Sequence, residues 1–238
     1  MASATQLTAN DAAILGALFD AEASLTGHAL ISSAGGTGIY DSKTTAQVQR
    51  LEREILLDMN SENPPLPSIQ AAIINLGKLI EVYPDYASAY NNRAQARRML
   101  TEIDHTLEDA NTMPLIFSDL ARAIALASPP NPTATVSPEQ AKVLASAHTH
   151  RAYLLYRASR SEDFGKAVRR VEAMSTRDKD GLEEMASRDF SAGGRYGNRI
   201  AKQLAVQTNP YAKLCGSIVK EALRKEMEDY FSGPGQAV

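Results

Sequence analysis

A repeated spacing of small and large apolar residues constrains the fold more than any other feature of this sequence. Steps of four, three and five residues separate the members of three sets, which are Ala72, Leu76, Leu79 and Pro84; Ile116, Leu120, Ala123 and Ser128; and Ala186, Phe190, Gly193 and Asn198. Small residues let two helices approach closely, the larger residue fills the cleft beside them, and a closing proline ends the second helix. The spacing therefore predicts an all-α solenoid of three helical hairpins.

A second pattern precedes the second and third sets. Tyr90, Arg93, Ala94 and Arg97 match His148, Arg151, Ala152 and Leu155 in spacing, and each group contains an Arg-Ala pair. Together the two patterns resemble the tetratricopeptide repeat, which has W-x2-L-G-x2-Y in its first helix and then A-x3-F and P. Tyr90 and His148 replace the Trp, and only Pro84 stands where the repeat has its proline. The resemblance gives structural roles to Ala94, Leu120, Ala123, Ala152, Ala186 and Phe190.

Extra residues lengthen the turn between the two helices of each unit. A regular repeat has about 12 residues between the small residue of its first helix and that of its second. Here residues 94 to 116 span 22 positions and residues 152 to 186 span 34. The first unit carries NSENPPLP at 60–67, whose prolines interrupt a helix. Insertions at the same turn should project from one edge of the solenoid. The longest, with Phe164, Ala167, Val168 and Val171 at helical spacing, is predicted to extend the helices.

Three segments follow from these patterns. Residues 1–43 are predicted to form a docking helix and a flexible linker at 32–38, residues 44–208 the three repeats, and residues 209–238 a capping helix and tail. The docking helix has N-cap candidates and an apolar face, namely Thr8, Asn10, Asp11, Ile14, Leu15, Leu18 and Phe19. Asn209 is a good N-cap before Pro210 at the first helical position of the capping helix.

Several stretches resemble one family in particular. These are ASAYNNRAQARR at 87–98, NPYAKLC at 209–215, ALFD at 17–20 after Asn10-Asp11, and RDF at 188–190. Together they are similar to the tetratricopeptide repeat protein 36 family, and the insertions indicate a divergent branch, which we expect to be fungal. The resemblance implies a non-enzymatic adaptor with three repeats. It also implies links to heat-shock chaperone binding and to tyrosine catabolism, through protection of an enzyme of that pathway.

Composition limits the compartment and the partners. The 238 residues carry 25 basic and 28 acidic side chains, a formal net charge of -3, which argues against a protein that mainly neutralises phosphates. The single cysteine excludes an intrachain disulfide framework and fits a reducing compartment. No segment approaches the roughly 18 consecutive apolar residues of a membrane span, and no secretory signal is visible. We therefore expect a cytoplasmic or nuclear protein without a membrane partner.

The sequence offers no constellation for catalysis, a metal or a cofactor. His148 and His150 are two positions apart, so on a helix they point about 200° apart and cannot ligate one metal together. The run GGRYG at 193–197 falls in a predicted second helix, where close packing explains its glycines better than phosphate binding. Cys215 lies on the apolar face of the capping helix, where we expect a buried structural thiol. The chain is thus predicted to be no enzyme.

The predicted functional surface is the concave groove, which the first helix of each repeat lines. We expect it to hold a peptide or a partner helix. Its predicted residues combine amides, guanidinium groups and aromatic rings, which suit backbone, carboxylate and apolar contacts. They are Ser88, Asn91, Asn92, Gln95, Arg98, Met99, Thr149, His150, Tyr153, Tyr156 and Arg157.

Repeat proteins that grip the C-terminal carboxylate of heat-shock chaperones use a clamp of Lys, Asn, Asn, Lys and Arg. Asn92 matches the central asparagine, and Arg50 stands in for the first lysine. Glu54 falls near the first asparagine, Ser146 at the second lysine and His150 at the arginine. With two cations missing and an acid added, this clamp is predicted to be non-functional, so a chaperone would need another mode of contact.

A nucleic-acid-binding solenoid is the alternative interpretation. Residues 150–202 carry 12 basic and 8 acidic side chains, whereas residues 1–90 carry 4 basic and 10 acidic ones. Solvated helix faces are the simpler explanation of this asymmetry. A basic face would consist of Arg169, Arg170, Arg177, Arg188, Arg195 and Arg199.

Overall fold

A computed structural model describes residues 29–32, 39–103, 111–131 and 134–232 of the chain. Within these ranges the structure is helical, apart from turns and one isolated parallel bridge between Ile31 and Val136. The α-helices are α1 (Ser42–Leu56), α2 (Leu66–Val82), α3 (Ala87–Ile103), α4 (Thr112–Ala127), α5 (Pro138–Arg160), α6 (Glu162–Val168), α7 (Lys179–Arg195), α8 (Arg199–Thr208) and α9 (Pro210–Ser232). The predicted docking helix and nearly all of the predicted linker lie outside the described residues.

The helices pack in the order of a tetratricopeptide-type solenoid. The packed pairs α1–α2, α3–α4 and α5–α7 form the three units, and α4 and α3 both contact α5. The residues with the three-times-repeated spacing form the core: Leu76, Leu120 and Phe190 are fully buried at equivalent positions. Ala94, Ala123, Ala152 and Ala186 are likewise fully buried beside them. The predicted all-α repeat fold is confirmed.

Close helix packing explains the glycines at the end of α7. A Cβ on Gly193 would lie 2.6 Å from Thr149 Oγ1 of α5 and 3.2 Å from Ala201 Cβ of α8. Gly197 has φ +100°, and its N–H donates to the Gly194 carbonyl at 3.0 Å. The N–H of Asn198 donates to the Gly193 carbonyl at 3.1 Å, which completes a Schellman ending. The run 193–197 therefore ends α7, and Asn198 directly after it caps the start of α8.

The three insertions all lie between the first and second helices of a unit, at 57–65, 104–111 and 161–178. The longest does not extend the helices, contrary to the prediction. Ser161 adopts an extended conformation (φ -124°, ψ 124°) that ends α5, and its side chain accepts a hydrogen bond from the Phe164 N–H to start α6. The helically spaced Ala167 and Val168 then bury their side chains in the core from a separate short helix.

The C-terminal end differs from the predicted cap. The predicted helix forms as α9, with Pro210 at its first position directly after Asn209, the C-cap of α8. The helix that covers α7 is α8, and α9 contacts only α8 to an appreciable extent within the described part of the chain. Cys215 on α9 is exposed, so the prediction of a buried thiol is wrong. An amphipathic pattern shows which residues share a face, but it does not show that another element covers that face.

A short N-terminal stretch is anchored on the solenoid. The N–H of Ala29 donates to the carbonyl of Arg195 at 3.0 Å. The N–H of Val136 donates to the carbonyl of Leu30 at 2.9 Å, and the N–H of Ser32 donates to the carbonyl of Val136 at 3.1 Å. Residues 29–32 therefore run between the end of α7 and the segment that leads into α5.

Candidate functional site

Buried ion pairs fix the two first helices that carry the candidate groove. Arg93 of α3 makes two hydrogen bonds to Asp119 of α4, at 3.0 and 2.6 Å, and Arg97 pairs with the same carboxylate. In the third unit Arg151 of α5 makes the matching pair to Asp189 of α7, at 2.6 and 2.7 Å. The Arg-Ala pairs of the sequence thus place an arginine on the side of α3 that faces α4 and on the side of α5 that faces α7.

His148 belongs to the same buried cluster. Its Nδ1 lies 2.8 Å from Asp189 Oδ1, and its ring stacks on Tyr196 at 6.3 Å. Burial alone would raise the pKa of Asp189, but the hydrogen bonds from His148 and Arg151 lower it below its usual value. His148 therefore replaces the aromatic residue of the repeat as a packing and hydrogen-bonding residue, on the side of α5 that faces α7.

A buried carboxylate joins the first two units across the groove. Glu52 of α1 is 8% exposed and accepts hydrogen bonds from Tyr86 Oη at 2.7 Å and from Asn92 Nδ2 at 2.8 Å. Burial and the nearby Glu52 charge raise the pKa of Tyr86. The Asn92 amide also lies 3.4 Å from Ser88 Oγ. Asn92 and Ser88 therefore lie in the predicted region, but they are held in a network with Glu52, which the sequence did not single out.

Charged and aromatic side chains meet at the boundary between α3 and α5. Arg98 binds both carboxylate oxygens of Glu102 at 2.7 Å, and its guanidinium lies 5.9 Å from the centre of the Tyr153 ring. Arg157 Nη1 is 3.7 Å from Glu102, and its guanidinium stacks 4.2 Å above the Phe164 ring of α6. Tyr153 is 43% exposed. Arg98, Tyr153 and Arg157 thus form a mixed aromatic and cationic surface that bridges two repeats.

Helices α3 and α5 also carry buried polar atoms without a hydrogen-bond partner among the described residues. His150 is 9% exposed, and neither of its ring nitrogens has a partner. Asn91 Oδ1 and Arg98 Nε are buried and also have none. Burial, with a further contribution from Arg98, lowers the pKa of His150 to about 3, so its ring is neutral at pH 7. This neutral ring offers one donor and one acceptor.

Four other predicted groove residues take different places. Thr149 points at Gly193 of α7 and donates to the Ala145 carbonyl at 2.6 Å. Met99 packs against the apolar cluster of the first unit, and Tyr156 packs against Phe190 with ring centres 6.4 Å apart. Gln95 is partly exposed on α3. Some of the predicted groove residues therefore contribute to packing between helices. Arg98, His150, Tyr153 and Arg157, in contrast, lie close together.

The residues at the positions of the chaperone clamp, which is predicted to be non-functional, form no basic site in the described part of the chain. Arg50 and Glu54 are exposed and lie 3.9 Å apart on one face of α1. Asn92 binds Glu52 instead of an open position, and Ser146 is partly buried on α5. An acidic residue beside the matching asparagine repels a carboxylate.

The described residues contain no group of three or more His, Cys, Asp or Glu side chains that could hold a metal ion. Among the helices that the structure describes, none has the length and apolarity that crossing a membrane requires. Arg169 and Arg188 of the alternative basic face are paired with acidic side chains. Arg169 lies 3.8 Å from Glu162, and Arg188 pairs with Glu184.

Comparison with known proteins finds relatives over most of the chain. The L-tyrosine degradation gene cluster protein hmgX of Aspergillus fumigatus is 44% identical, and the match covers 95% of this chain and 95% of that protein. Tetratricopeptide repeat protein 36 of Danio rerio is 30% identical over 78% of this chain and 74% of its own length. The Xenopus tropicalis protein of that name is 28% identical over 93% and 89%. No protein-family model and no solved structure matches.

Proposed function

The chain belongs to the tetratricopeptide repeat protein 36 family, and on that premise we propose that it is a non-enzymatic adaptor that holds a protein partner in its concave groove. The observation that carries the proposal is the surface of Arg98, Tyr153 and Arg157, with the unpartnered His150 within electrostatic reach of Arg98. Aromatic and arginine side chains contribute most of the binding energy at protein interfaces. A rigid support of paired helices keeps them in place without a partner.

The surface favours a partner segment with one apolar side chain and accessible backbone amides. An apolar side chain can lie on the exposed face of Tyr153, whose position is fixed by Arg98. Arg157 can add a hydrogen bond to a backbone carbonyl or a carboxylate of the partner. Glu102 already neutralises part of both guanidinium groups, so the surface does not require a highly acidic partner.

The proposed pathway is supported by the name of one relative and not by the groove. One relative is named for an L-tyrosine degradation gene cluster. We extend that link to this chain and propose that its partner is an enzyme of L-tyrosine degradation, bound in the cytoplasm. The incomplete clamp supports the further expectation that a chaperone C-terminal carboxylate does not bind at Asn92.

The test is a titration of purified enzymes of L-tyrosine degradation against the full-length chain by calorimetry. The groove variant Tyr153→Ser with Arg157→Gln is expected to lose at least about tenfold in affinity, since truncated hot-spot residues commonly lose more than that. The matched control is Ile74→Ser with Arg122→Gln. It removes an exposed apolar residue and an exposed arginine from the second helices α2 and α4.

The control is expected to bind as the parent does, and circular dichroism checks that both variants fold. Equal losses in the two variants, or none in the groove variant, would move the binding surface away from α3 and α5. If none of the enzymes binds the parent chain, the pathway part of the proposal is wrong.

A further inference from the structure

The helix α9 extends beyond α8 with its sides uncovered in the described part of the chain. Every residue from 214 to 228 is exposed, and among the described helices only α8 contacts α9 to an appreciable extent. Gly216, Ile218 and Val219 are weak helix formers, so intrinsic propensity alone does not maintain this helix. Helices in proteins owe most of their stability to the packing of an apolar face. The helix α9 therefore needs a surface that covers its apolar residues.

Two rows of side chains share one side of α9. The members of each row are four residues apart, so they follow one another along the helix. They are the apolar row of Val219, Leu223 and Met227 and the polar row of Lys220, Arg224 and Glu228. The apolar residues are between 55% and 60% exposed, and an exposed apolar surface with a polar rim commonly marks an interface.

The polar row has a basic end and an acidic end. Lys220 gives one end a positive charge, and Glu228 gives the other end a negative charge. Arg224 in the middle of the row lies 3.2 Å from Glu228 of the same chain, so its charge is offset in part. A carboxylate has two acceptor oxygens, so Glu228 can bind a second cation as well. The surface that covers this side of α9 should therefore offer an acid near Lys220 and a cation near Glu228.

A second copy of α9 in the opposite direction offers this arrangement. A parallel copy would place like charges opposite each other along the polar row, which is repulsive. An antiparallel copy, related by a two-fold axis near Leu223, places Lys220 of each chain opposite Glu228 of the other. The two-fold axis keeps the polar rows on the same side of the contact, so the apolar rows meet beside them. Rows at steps of four residues also pack into one another in the commonest class of helix pairs.

We propose that the chain forms a two-fold dimer in which α9 packs antiparallel on α9 of a second copy, through the apolar rows and the two contacts between Lys220 and Glu228. The apolar row extends over about 12 Å of helix, which is less than a standard interface provides, so we expect a dissociation constant of about 1–100 μM. The dimer joins two solenoids through their last helices. This inference does not depend on the proposed partner of the groove.

Sedimentation equilibrium of the full-length chain tests the dimer. The mass of the parent is expected to rise from one chain toward two as the concentration rises from about 1 to 100 μM. Leu223→Asp is expected to keep the chain monomeric over this range, because it places a charge in the middle of the apolar contact. The matched control is Leu214→Asp, since Leu214 is 59% exposed and lies nine positions away, on the opposite side of α9. This control is expected to dimerise as the parent does.

Exchange of charges tests the antiparallel direction. Lys220→Glu makes both ends of the polar row acidic, and Glu228→Lys makes both ends basic. Each two-fold pair then contains two repulsive contacts, so each variant alone should dimerise at least about tenfold more weakly than the parent. An equimolar mixture of the two variants should regain dimers, because an acidic row then meets a basic one.

The matched charge controls are Glu221→Lys and Lys225→Glu, made separately in a pair whose charged atoms lie 3.7 Å apart. Both residues are two positions from Leu223, about 200° around the helix, so these variants should dimerise as the parent does. Melting curves check that the solenoid stays folded in every variant. A parent that remains monomeric at about 100 μM would overturn the proposal. Equal effects in the row variants and their controls, or a mixture that stays monomeric, would overturn it as well.

Discussion

At the scale of single residues, two buried aspartates organise the repeats. Asp119 and Asp189 stand directly before the large core residues Leu120 and Phe190, and each accepts hydrogen bonds from an arginine of the first helix. The first unit has Asn75 at the equivalent position, and its side chain is exposed. The second and third units are therefore held by ionic contacts that the first unit lacks.

The substitution Asp119→Asn tests this role. It leaves Arg93 and Arg97, whose side chains are 18% and 17% exposed, without their counter-ion. Breaking a buried pair by removing one partner destabilises by about 3–5 kcal/mol, and we expect a loss in that range in urea unfolding. The control Asp163→Asn removes a carboxylate that is 96% exposed and should change the free energy of unfolding by less than about 0.5 kcal/mol. A loss for Asp119→Asn no greater than the control's would contradict the role.

His150 predicts a dependence of stability on pH. Its pKa is about 3 in the folded chain, well below the usual 6.5, because the buried ring resists protonation. Below pH 6.5 the unfolded chain therefore binds a proton that the folded chain does not, and the free energy of unfolding falls as the pH falls toward 3. Between pH 7 and pH 5 this amounts to about 2 kcal/mol.

The matching variant is His150→Phe, which keeps a ring but cannot take up a proton. Urea unfolding at both pH values should show a smaller difference for this variant than for the parent. Asp189 does not interfere, because its pKa is lowered from 3.8 and it titrates below this window. An equal difference in both proteins would assign the pH dependence to other groups.

Residue-level features were only partly visible in the sequence. Arg93, Arg151 and Asp189 stand at fixed places in the repeated patterns, but the patterns did not predict the ionic contacts that these residues make. Glu52 gave no such signal, since its role depends on Tyr86 and Asn92 of another helix. The comparison with the chaperone clamp singled out Glu54 instead. Helix α1 lacks the small residues of the repeat, so its register could not be read from the spacing.

At the scale of helices, the prediction was most accurate where packing needs small residues. Gly193 permits the close approach of α7 to α5 and α8, and its spacing from Phe190 made it recognisable. The helix boundaries around the third insertion were less predictable. Phe164 and its neighbours have helical spacing, and only the extended backbone of Ser161 separates α6 from α5. Spacing alone does not report such a break.

The substitution Gly193→Ala tests the close approach. The added Cβ would lie 2.6 Å from Thr149 Oγ1 and 3.3 Å from the backbone carbonyl of Ala145. We expect a loss of about 1–3 kcal/mol in the free energy of unfolding, as for other overpacked cores. The control is Gly216→Ala on α9, where a Cβ meets nothing within 4 Å. There we expect no loss, or a gain of up to about 1 kcal/mol from helix propensity. A Gly193→Ala chain as stable as the parent would contradict the packing.

At the scale of the whole molecule, the distribution of charge separates the two candidate functions. The C-terminal half is the more basic, yet some of its arginines form ion pairs with acidic side chains. Arg160 lies 2.8 Å from Glu183, and Arg169 lies 3.8 Å from Glu162. Pairing of this kind lowers the number of cations that can neutralise phosphates. The groove, by contrast, combines the Tyr153 ring with two arginines whose charges Glu102 offsets in part.

This contrast predicts a weak dependence of partner binding on salt. A protein that neutralises six to ten phosphates loses about 10³–10⁵ in affinity between 50 and 200 mM salt, because counterions must be displaced again. Burial of an aromatic surface and amide hydrogen bonds involves little counterion release, so we expect the affinity for the groove partner to fall less than about tenfold over that range.

Calorimetric titrations at several salt concentrations measure how the affinity changes with salt. The Tyr153→Ser, Arg157→Gln variant shows whether the salt-insensitive part of the affinity belongs to the groove. A steep slope that neutralisation of Arg170 and Arg177 abolishes would instead favour the nucleic-acid interpretation, since the basic face would then supply the affinity.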